Sequence, residues 1–113
     1  MHGDEDAVTF SDNRLKFEQK EVPYGLAEVM QLQPKIYKKD SGYIDDDGKI
    51  ILEGRLREQI GFIAQEVKAI IPEIVRDVNE STSFYSFNDG KLMAVLVKAI
   101  QELSAKVEAL ENS

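Results

Sequence analysis

The amino-acid sequence predicts a small α+β domain that ends in one long helix. Two observations lead to this prediction. Short apolar segments alternate with Pro, Gly and Asp along most of the chain, and helical spacing dominates its carboxyl end. At 113 residues the chain is one domain with a helical extension, and a core of this size is marginal by itself. Association with further copies is a common remedy.

The predicted elements of the amino-terminal part are short. We expect a strand over Ala7–Phe10, a polar turn over Ser11–Lys16 and a helix that begins near Pro23, because proline suits the first helical turn. Pro34 ends this helix, since the residue before a proline avoids the helical region. A strand over Lys35–Lys39 follows. The apolar face of the helix would be formed by Leu26, Val29, Met30 and Leu32.

An acidic segment, Asp45–Lys49, lies between the apolar pairs Tyr43–Ile44 and Ile50–Ile51. Its Asp-Gly step between two apolar segments predicts a β-hairpin. The alternative is a calcium-binding loop with the glycine at its sixth position. That loop needs an acidic first residue and a glutamate at the twelfth, where this chain has a tyrosine and Gly54. The sequence therefore favours the hairpin.

The middle of the chain predicts a strand, a helix and a further strand pair. Ile60–Ala64 is a short apolar strand, and Gln65–Ile71 runs at helical spacing until Pro72. Ile74–Val75 begins another short element. Ser81–Phe87 is rich in serine, threonine and aromatic residues, which suits a hairpin or an edge strand.

The last segment has the most regular pattern. Asn88 or Asp89 can cap a helix that begins near Gly90. Apolar residues then recur at alternating spacings of three and four, which is a heptad repeat. This seam would need a partner helix; the alternative is an amphipathic helix packed on a monomer, and the seam itself leaves the copy number open. The seam is formed by Met93, Leu96, Ile100, Leu103, Val107 and Leu110.

Composition excludes several classes of function. The net charge of −7 argues against a nucleic-acid partner, and the absence of cysteine excludes disulfides and thiolate metal sites. The sequence contains no apolar run of about 20 residues that could span a membrane and no signal-peptide pattern. We therefore expect a chain made in a cytoplasm, with no membrane partner, no metal and no cofactor, although assistance by a nucleotide or an ion stays open.

Ser11 and Lys16 are candidates for catalysis, as a hydroxyl nucleophile and a lysine base five residues apart. A lysine acts as a base near neutral pH only if burial or a nearby positive charge lowers its pKa, and Arg14 could supply such a charge. Neither a strand nor a helix would bring an offset of five together, so a turn or a neighbouring subunit must do so. The plainer alternative is a polar turn with a solvated lysine. Glu66, in a first helical turn, would serve the helix dipole or hold a catalytic lysine.

Three sequence blocks resemble a known family. They are Ser11–Lys16, Gln59–Val67 followed by Ile71–Glu73, and Lys91–Leu103. In this order they resemble the C-terminal intramolecular chaperone domain of phage tailspikes, tail fibres and neck appendages, also called the endosialidase chaperone domain, a self-cleaving peptidase. The resemblance extends from Ser11 to about Leu110.

The resemblance implies a homotrimer whose long helices form a three-helix coiled coil while the upstream stalk of the same chain folds. The domain then cleaves itself off, here at the Phe10–Ser11 bond, with Ser11 as nucleophile and Lys16 as general base. Residues 1–10 would be the upstream remnant and residues 11–113 the chaperone domain, with the long helix over about 89–111. This serine-lysine peptidase would act once, on its own chain, in the host cytoplasm during virion assembly. Supporting positions would be Asp12, Arg14, Gln65 and Glu66.

Two alternatives stay open. The domain could be a trimerisation module that does not cleave, or the equivalent self-cleaving domain of a membrane-tethered transcription regulator. An enzyme that cuts other proteins is not expected, because the candidate nucleophile lies at the leading edge of the domain.

Overall fold

The computed structural model describes residues 11–113. Its elements confirm a small α+β domain with a long carboxyl-terminal helix. After a 3-10 turn at Asn13–Leu15, three α-helices and six short strands follow along the chain. They are α1 (Leu26–Val29), β1 (Lys35–Asp40), β2 (Tyr43–Ile44), β3 (Ile50–Ile51), β4 (Leu56–Gly61), α2 (Ala64–Ile70), β5 (Val75–Arg76), β6 (Ser86–Phe87) and α3 (Asp89–Glu111), with a second 3-10 turn at Pro72–Ile74 between α2 and β5.

The strands form three separate antiparallel pairs, β1 with β4, β2 with β3, and β5 with β6. In the longest pair Lys35 lies opposite Gly61 and Asp40 opposite Leu56. The Asp40 carboxylate accepts hydrogen bonds from the backbone N–H groups of Glu53 and Gly54, at 2.9 and 2.8 Å, and so fixes the end of the pair at which residues 41–55 connect the two strands. Gly54 has a φ of +79°, a conformation that glycine adopts at little cost.

The β2–β3 hairpin confirms the prediction made from the Asp-Gly step. One carboxylate oxygen of Asp45 accepts from the backbone N–H groups of Asp47 and Lys49, both at 2.9 Å, and Gly48 takes a φ of +81°. The acidic side chain therefore organises the turn itself, which is the usual role of aspartate at such a position.

Several predicted boundaries are wrong in detail. The first helix is a single turn, and the strand predicted over 60–64 runs instead from Leu56 to Gly61. Its amino-terminal half is polar, so the apolar pattern missed it; pairing with β1 decides its length. In the region 81–87, Ser86–Phe87 is the part that forms a strand, and it pairs with β5. The strand predicted over Ala7–Phe10 lies outside the described residues.

The hydrophobic core lies between α2, the second 3-10 turn and the first half of α3. Ile71 and Val67 are its most completely buried side chains. Asn88 caps α3 by accepting from the backbone N–H of Lys91 at 3.0 Å, as predicted. The buried hydrophobic side chains within residues 11–113 are those of Leu32, Val67, Ile71, Ile74, Val75, Leu92, Val95 and Ala99.

Candidate active site

The structure brings the side chains of Ser11 and Lys16 together. The Lys16 Nζ donates a hydrogen bond to Ser11 Oγ at 2.8 Å. Between them the 3-10 turn at Asn13–Leu15 reverses the chain, and Lys16 N–H bonds back to the Asn13 carbonyl at 3.1 Å. The turn is flanked by extended residues, Asp12 (φ −70°, ψ 134°) and Lys16 (φ −117°, ψ 114°), so the chain enters and leaves it in different directions, which neither a continuous strand nor a continuous α-helix would allow with this spacing.

Asp12 holds this turn in place. Its Oδ1 accepts from the backbone N–H of Arg14 at 2.8 Å, as an amino-terminal cap, and its two carboxylate oxygens receive the Arg14 guanidinium. The guanidinium and the backbone N–H of Arg14 hold the pKa of the Asp12 carboxyl below its usual value, and Asp12 raises the pKa of Arg14 in return. The charge of Arg14 is thus matched by Asp12, so its predicted role as a charge that assists Lys16 gains no support from this geometry.

Gln19 and Glu18 also shape the turn, and neither was singled out from the sequence. The Gln19 side-chain amide donates to Asn13 Oδ1 at 2.6 Å and to the Lys16 carbonyl at 3.3 Å. Glu18, between Lys16 and Gln19, has a φ of +51°, in the left-handed region that residues other than glycine seldom adopt. Asn13 in a polar turn was the sequence signal for the contact with Gln19, because asparagine side chains commonly form hydrogen bonds with nearby residues in turns.

The structure does not bring Gln65 and Glu66 to the Ser11–Lys16 pair. Both lie in the first turn of α2, and within residues 11–113 no hydrogen bond or ion pair joins them to Ser11–Lys16. Glu66 Oε2 instead accepts from Lys35 Nζ at 2.7 Å, while its Oε1 is buried and has no hydrogen-bond partner in the described chain. Lys35 was not singled out from the sequence; it begins β1, which the register aligns with the end of β4 just before α2.

The predicted cleavage site is described on one side only. Ser11 is the first described residue, and Phe10, together with the predicted remnant over residues 1–10, lies outside the described residues. The catalytic roles of Ser11 and Lys16 therefore stay predictions that the geometry is compatible with.

The long helix α3 presents two distinct stripes. One stripe packs on the domain, through Leu92, Val95 and Ala99, and continues to Glu102, whose Oε1 accepts from the backbone N–H of Leu26 at 2.8 Å. The other is the predicted heptad seam, about 90° away around the helix at 3.6 residues per turn. All six seam side chains are between 36% and 74% exposed in the single chain. The second half of the helix, from Gln101 onward, is exposed throughout.

No group of three or more His, Cys, Asp and Glu side chains in residues 11–113 is arranged to hold a metal ion. None of the helices in the same range combines the length and the apolar character that crossing a membrane requires.

Comparison with known proteins supplies the context. Residues 11–76 match the model of a peptidase family described as chaperone of endosialidase. Over 109 residues, 95% of this chain, the sequence is 32% identical to long tail fiber protein Gp37 of Enterobacteria phage M1. It is 31% identical over 104 residues to the corresponding protein of phage K3. It is also 27% identical over 104 residues to Myelin regulatory factor homolog 1 of Caenorhabditis elegans.

These matches cover nearly all of this chain and a smaller part of each relative. The chain spans 41% of the phage M1 protein, 8% of the phage K3 protein and 10% of the C. elegans protein. The matched family region begins at Ser11, where the candidate nucleophile lies.

Proposed function

Because this chain belongs to the chaperone-of-endosialidase family, we propose that it is the self-releasing chaperone domain of a phage tail fibre, tailspike or appendage protein. The domain associates as a trimer through α3 and assists the folding of the upstream stalk of its own chain. It then cleaves the Phe10–Ser11 bond and leaves the stalk. Similarity to tail fibre proteins over 95% and 90% of the chain supports the phage context, and with it assembly in a host cytoplasm.

The observation that carries the cleavage proposal is the 2.8 Å contact between Ser11 Oγ and Lys16 Nζ. At this distance a neutral amine can take the hydroxyl proton as the oxygen attacks. The oxygen then bonds to the carbonyl carbon of Phe10, and the bond from that carbon to the Ser11 nitrogen breaks. The proton passes from the lysine to the leaving nitrogen, which becomes a free amine. Water hydrolyses the resulting ester and restores the serine hydroxyl.

The seam on α3 supports association. Burying a large apolar side chain completely stabilises by about 1.5–3 kcal/mol, and about half of that remains available at each exposed seam position. The single chain covers the other stripe of α3 and leaves the seam open. A coiled coil of several copies would cover it; the proposed number of three is what the family resemblance implies and is not read from the seam residues.

The chaperone role follows from the order in which contacts form. Registering three stalk chains carries a large entropic cost because their pairing is long-range. Helices that associate through local patterns tether the stalk chains and raise their effective concentration. Removal of the tether after folding leaves a stalk that cannot easily exchange its chains, which makes it kinetically stable.

One relative favours a second function, that of a transcription regulator. The similarity to Myelin regulatory factor homolog 1 is compatible with the same self-cleaving domain in a transcription regulator. A third possibility is a trimerisation module that keeps Ser11 and Lys16 without cleaving. All three functions share the predicted trimer. The phage chaperone and the transcription regulator differ in their upstream segment, and the trimerisation module differs from both because it does not cleave.

The test is expression of the chain behind its native upstream segment, followed by gel electrophoresis and intact-mass measurement. We expect two products from the unmodified protein, with a new amino terminus at Ser11. Ser11→Ala and Lys16→Arg should each give one uncut product, since arginine keeps the charge but cannot act as a base. Lys49→Ala, in the exposed turn of the β2–β3 hairpin, is the matched control and should cut normally. A single band from the unmodified protein would leave the trimerisation module as the function.

A further inference from the structure

The segment that carries the candidate catalytic pair is uncovered in the single chain. We call Ser11–Glu21 the catalytic arm; all eleven of its residues are exposed. Leu15 and Phe17, on either side of Lys16, are 61% and 82% exposed. A lysine in water keeps its proton at neutral pH, and burial or nearby positive charge is needed before it acts as a base. The arm as described has the right geometry and lacks the surroundings that this chemistry requires.

Suitable surroundings exist elsewhere on the domain. A groove of about 460 Å³ is lined by the rings of Tyr37, Phe62, Phe84 and Phe87, with Lys39 and Gln65 at its side. We call it the aromatic groove. It is open to solvent and large enough for apolar side chains of the size of Leu and Phe.

Glu66 follows Gln65 in α2 and does not itself line the groove; one of its carboxylate oxygens is buried without a hydrogen-bond partner in residues 11–113, while the side chain as a whole is 41% exposed. A buried carboxylate oxygen without a donor is costly, and such groups are rare in folded proteins. The charge of Glu66 is matched by Lys35 through the other oxygen. What is missing is a hydrogen-bond donor, and backbone or side-chain N–H groups of an incoming segment would provide one.

The arm and the groove contact α3 at different positions along the helix axis. Glu21 pairs with Lys98 at 3.5 Å, whereas Asp89 lines the groove. Nine helical residues separate those positions by about 13 Å. A neighbouring helix in a bundle lies about 8–10 Å away, and the chain from Glu21 to Leu15 can span about 20 Å. Each of these offsets is shorter than the arm, so the arm is long enough to extend toward an adjacent copy.

We propose that the catalytic arm of each copy docks into the aromatic groove of a second copy of this chain, so that every active site is completed between two copies. Leu15 and Phe17 would enter among the aromatic rings and exclude water from Lys16, while Lys39, at the side of the groove, brings positive charge close to it. Such a contact is head-to-tail and closes in a ring, which a trimer built on the α3 seam allows. This inference rests on the proposed self-cleaving trimer and adds the groove as the partner of the arm.

The same chain length would also reach the chain's own groove. Against that arrangement, the single chain leaves its groove open and its arm in solvent, although both belong to one molecule. A second copy associated through the α3 seam would bring a groove to the arm, which the fold of the single chain does not do. The two arrangements make opposite predictions when defective chains are mixed.

The experiment is complementation between two inactive variants that carry the native upstream segment. Ser11→Ala has a dead arm and an intact groove. Phe84→Asp has an intact arm and a charged groove, at a position that is 47% exposed and so tolerates the change. Lys39→Glu, which reverses the exposed positive charge at the side of the groove, serves as a second groove variant. Each alone should stay uncut. When the two are co-expressed, about half of the Phe84→Asp chains should be cut in randomly mixed rings.

The controls separate this inference from the proposed function. Co-expression of Ser11→Ala with Lys16→Ala should give no cutting, because both defects lie on the arm. Cutting by that pair would show that the two residues act across copies, and it would overturn the arm as a unit. Groove variants that cut normally by themselves would overturn the inference. So would an uncut mixture of associated chains, provided the unmodified protein cuts. An unmodified protein that never cuts would instead refute the proposed function.

Discussion

Lys16 donates a hydrogen bond to Ser11 Oγ at 2.8 Å across a 3-10 turn whose amino-terminal cap is Asp12. The contact joins two side chains in one short stretch of exposed chain, with Asp12, Asn13 and Gln19 as the polar groups that shape the turn. The position of the Ser11 hydroxyl relative to the Lys16 amine thus depends on local hydrogen bonds more than on the hydrophobic core. The first two predictions concern these bonds.

Loss of the turn cap should slow self-cleavage without affecting association. Asp12→Ala removes the acceptor for the Arg14 backbone N–H and loosens the approach of Lys16 to Ser11. Because small displacements of reacting groups are costly, we expect the cleavage rate to fall roughly 10- to 100-fold. Asp12→Asn keeps an acceptor oxygen and should recover much of the rate. Equal rates for Asp12→Ala and the unmodified protein, measured by densitometry over time, would show that the cap does not position the pair.

The Asp12–Arg14 pair should give the turn a pH dependence at acid pH. The guanidinium and backbone N–H of Arg14 lower the folded-state pKa of Asp12 from 3.8. At a pH above the pKa that Asp12 has in the unfolded chain, the ion pair contributes fully to the stability of the turn. This contribution is lost as the pH falls through the lower pKa that Asp12 has in the folded chain. The titration midpoint of Asp12, followed by carboxyl-carbon NMR, should lie below 3.8 and move upward in Arg14→Ala. A midpoint unchanged by Arg14→Ala would contradict this origin of the shift.

A charge on the helix seam should dissociate the copies. Ile100→Asp places a carboxylate at an exposed seam position that the predicted bundle buries. Light scattering should give a mass near 12.8 kDa for this variant and near three times 12.8 kDa for the unmodified chain. Gln101→Asp, one residue further on and off the seam, is the matched control and should remain trimeric. A mass of one copy for the unmodified chain across micromolar dilutions would refute the seam as an interface.

The junction between α1 and α3 depends on a glycine. A Cβ built at Gly25 would collide with Glu102 Oε1, the atom that accepts from the Leu26 backbone N–H. Gly25→Ala should therefore displace this flexible carboxylate and cost about 1 kcal/mol of unfolding free energy, the usual value of one hydrogen bond.

A double-mutant cycle in urea denaturation checks the cause of that loss. In a Glu102→Ala background the carboxylate is already gone, so Gly25→Ala should cost much less there than alone. Additive costs would mean that the alanine acts on the backbone rather than through Glu102.

The features that depend on local chain chemistry were predictable from the amino-acid sequence. They include the α+β class, the Asp45–Gly48 turn, the Asn88 cap of α3 and the period of its apolar residues. In each case the signal lies within a few residues, because turn and cap preferences and helical periodicity are properties of adjacent chain. The membership of the family likewise rested on short ordered blocks.

Tertiary structure decided what depends on residues far apart. The extension of β4 to Leu56 required β1 as a partner, and Glu66 met Lys35 because that pairing brings the start of β1 to the end of β4. The contact between Ser11 and Lys16 required a particular turn among several that the same residues allow. The heptad repeat predicted an apolar seam; that the domain packs on the neighbouring stripe and leaves the seam open was decided by folding. The physical reason is that periodicity identifies an apolar face, while burial depends on which other surface reaches it.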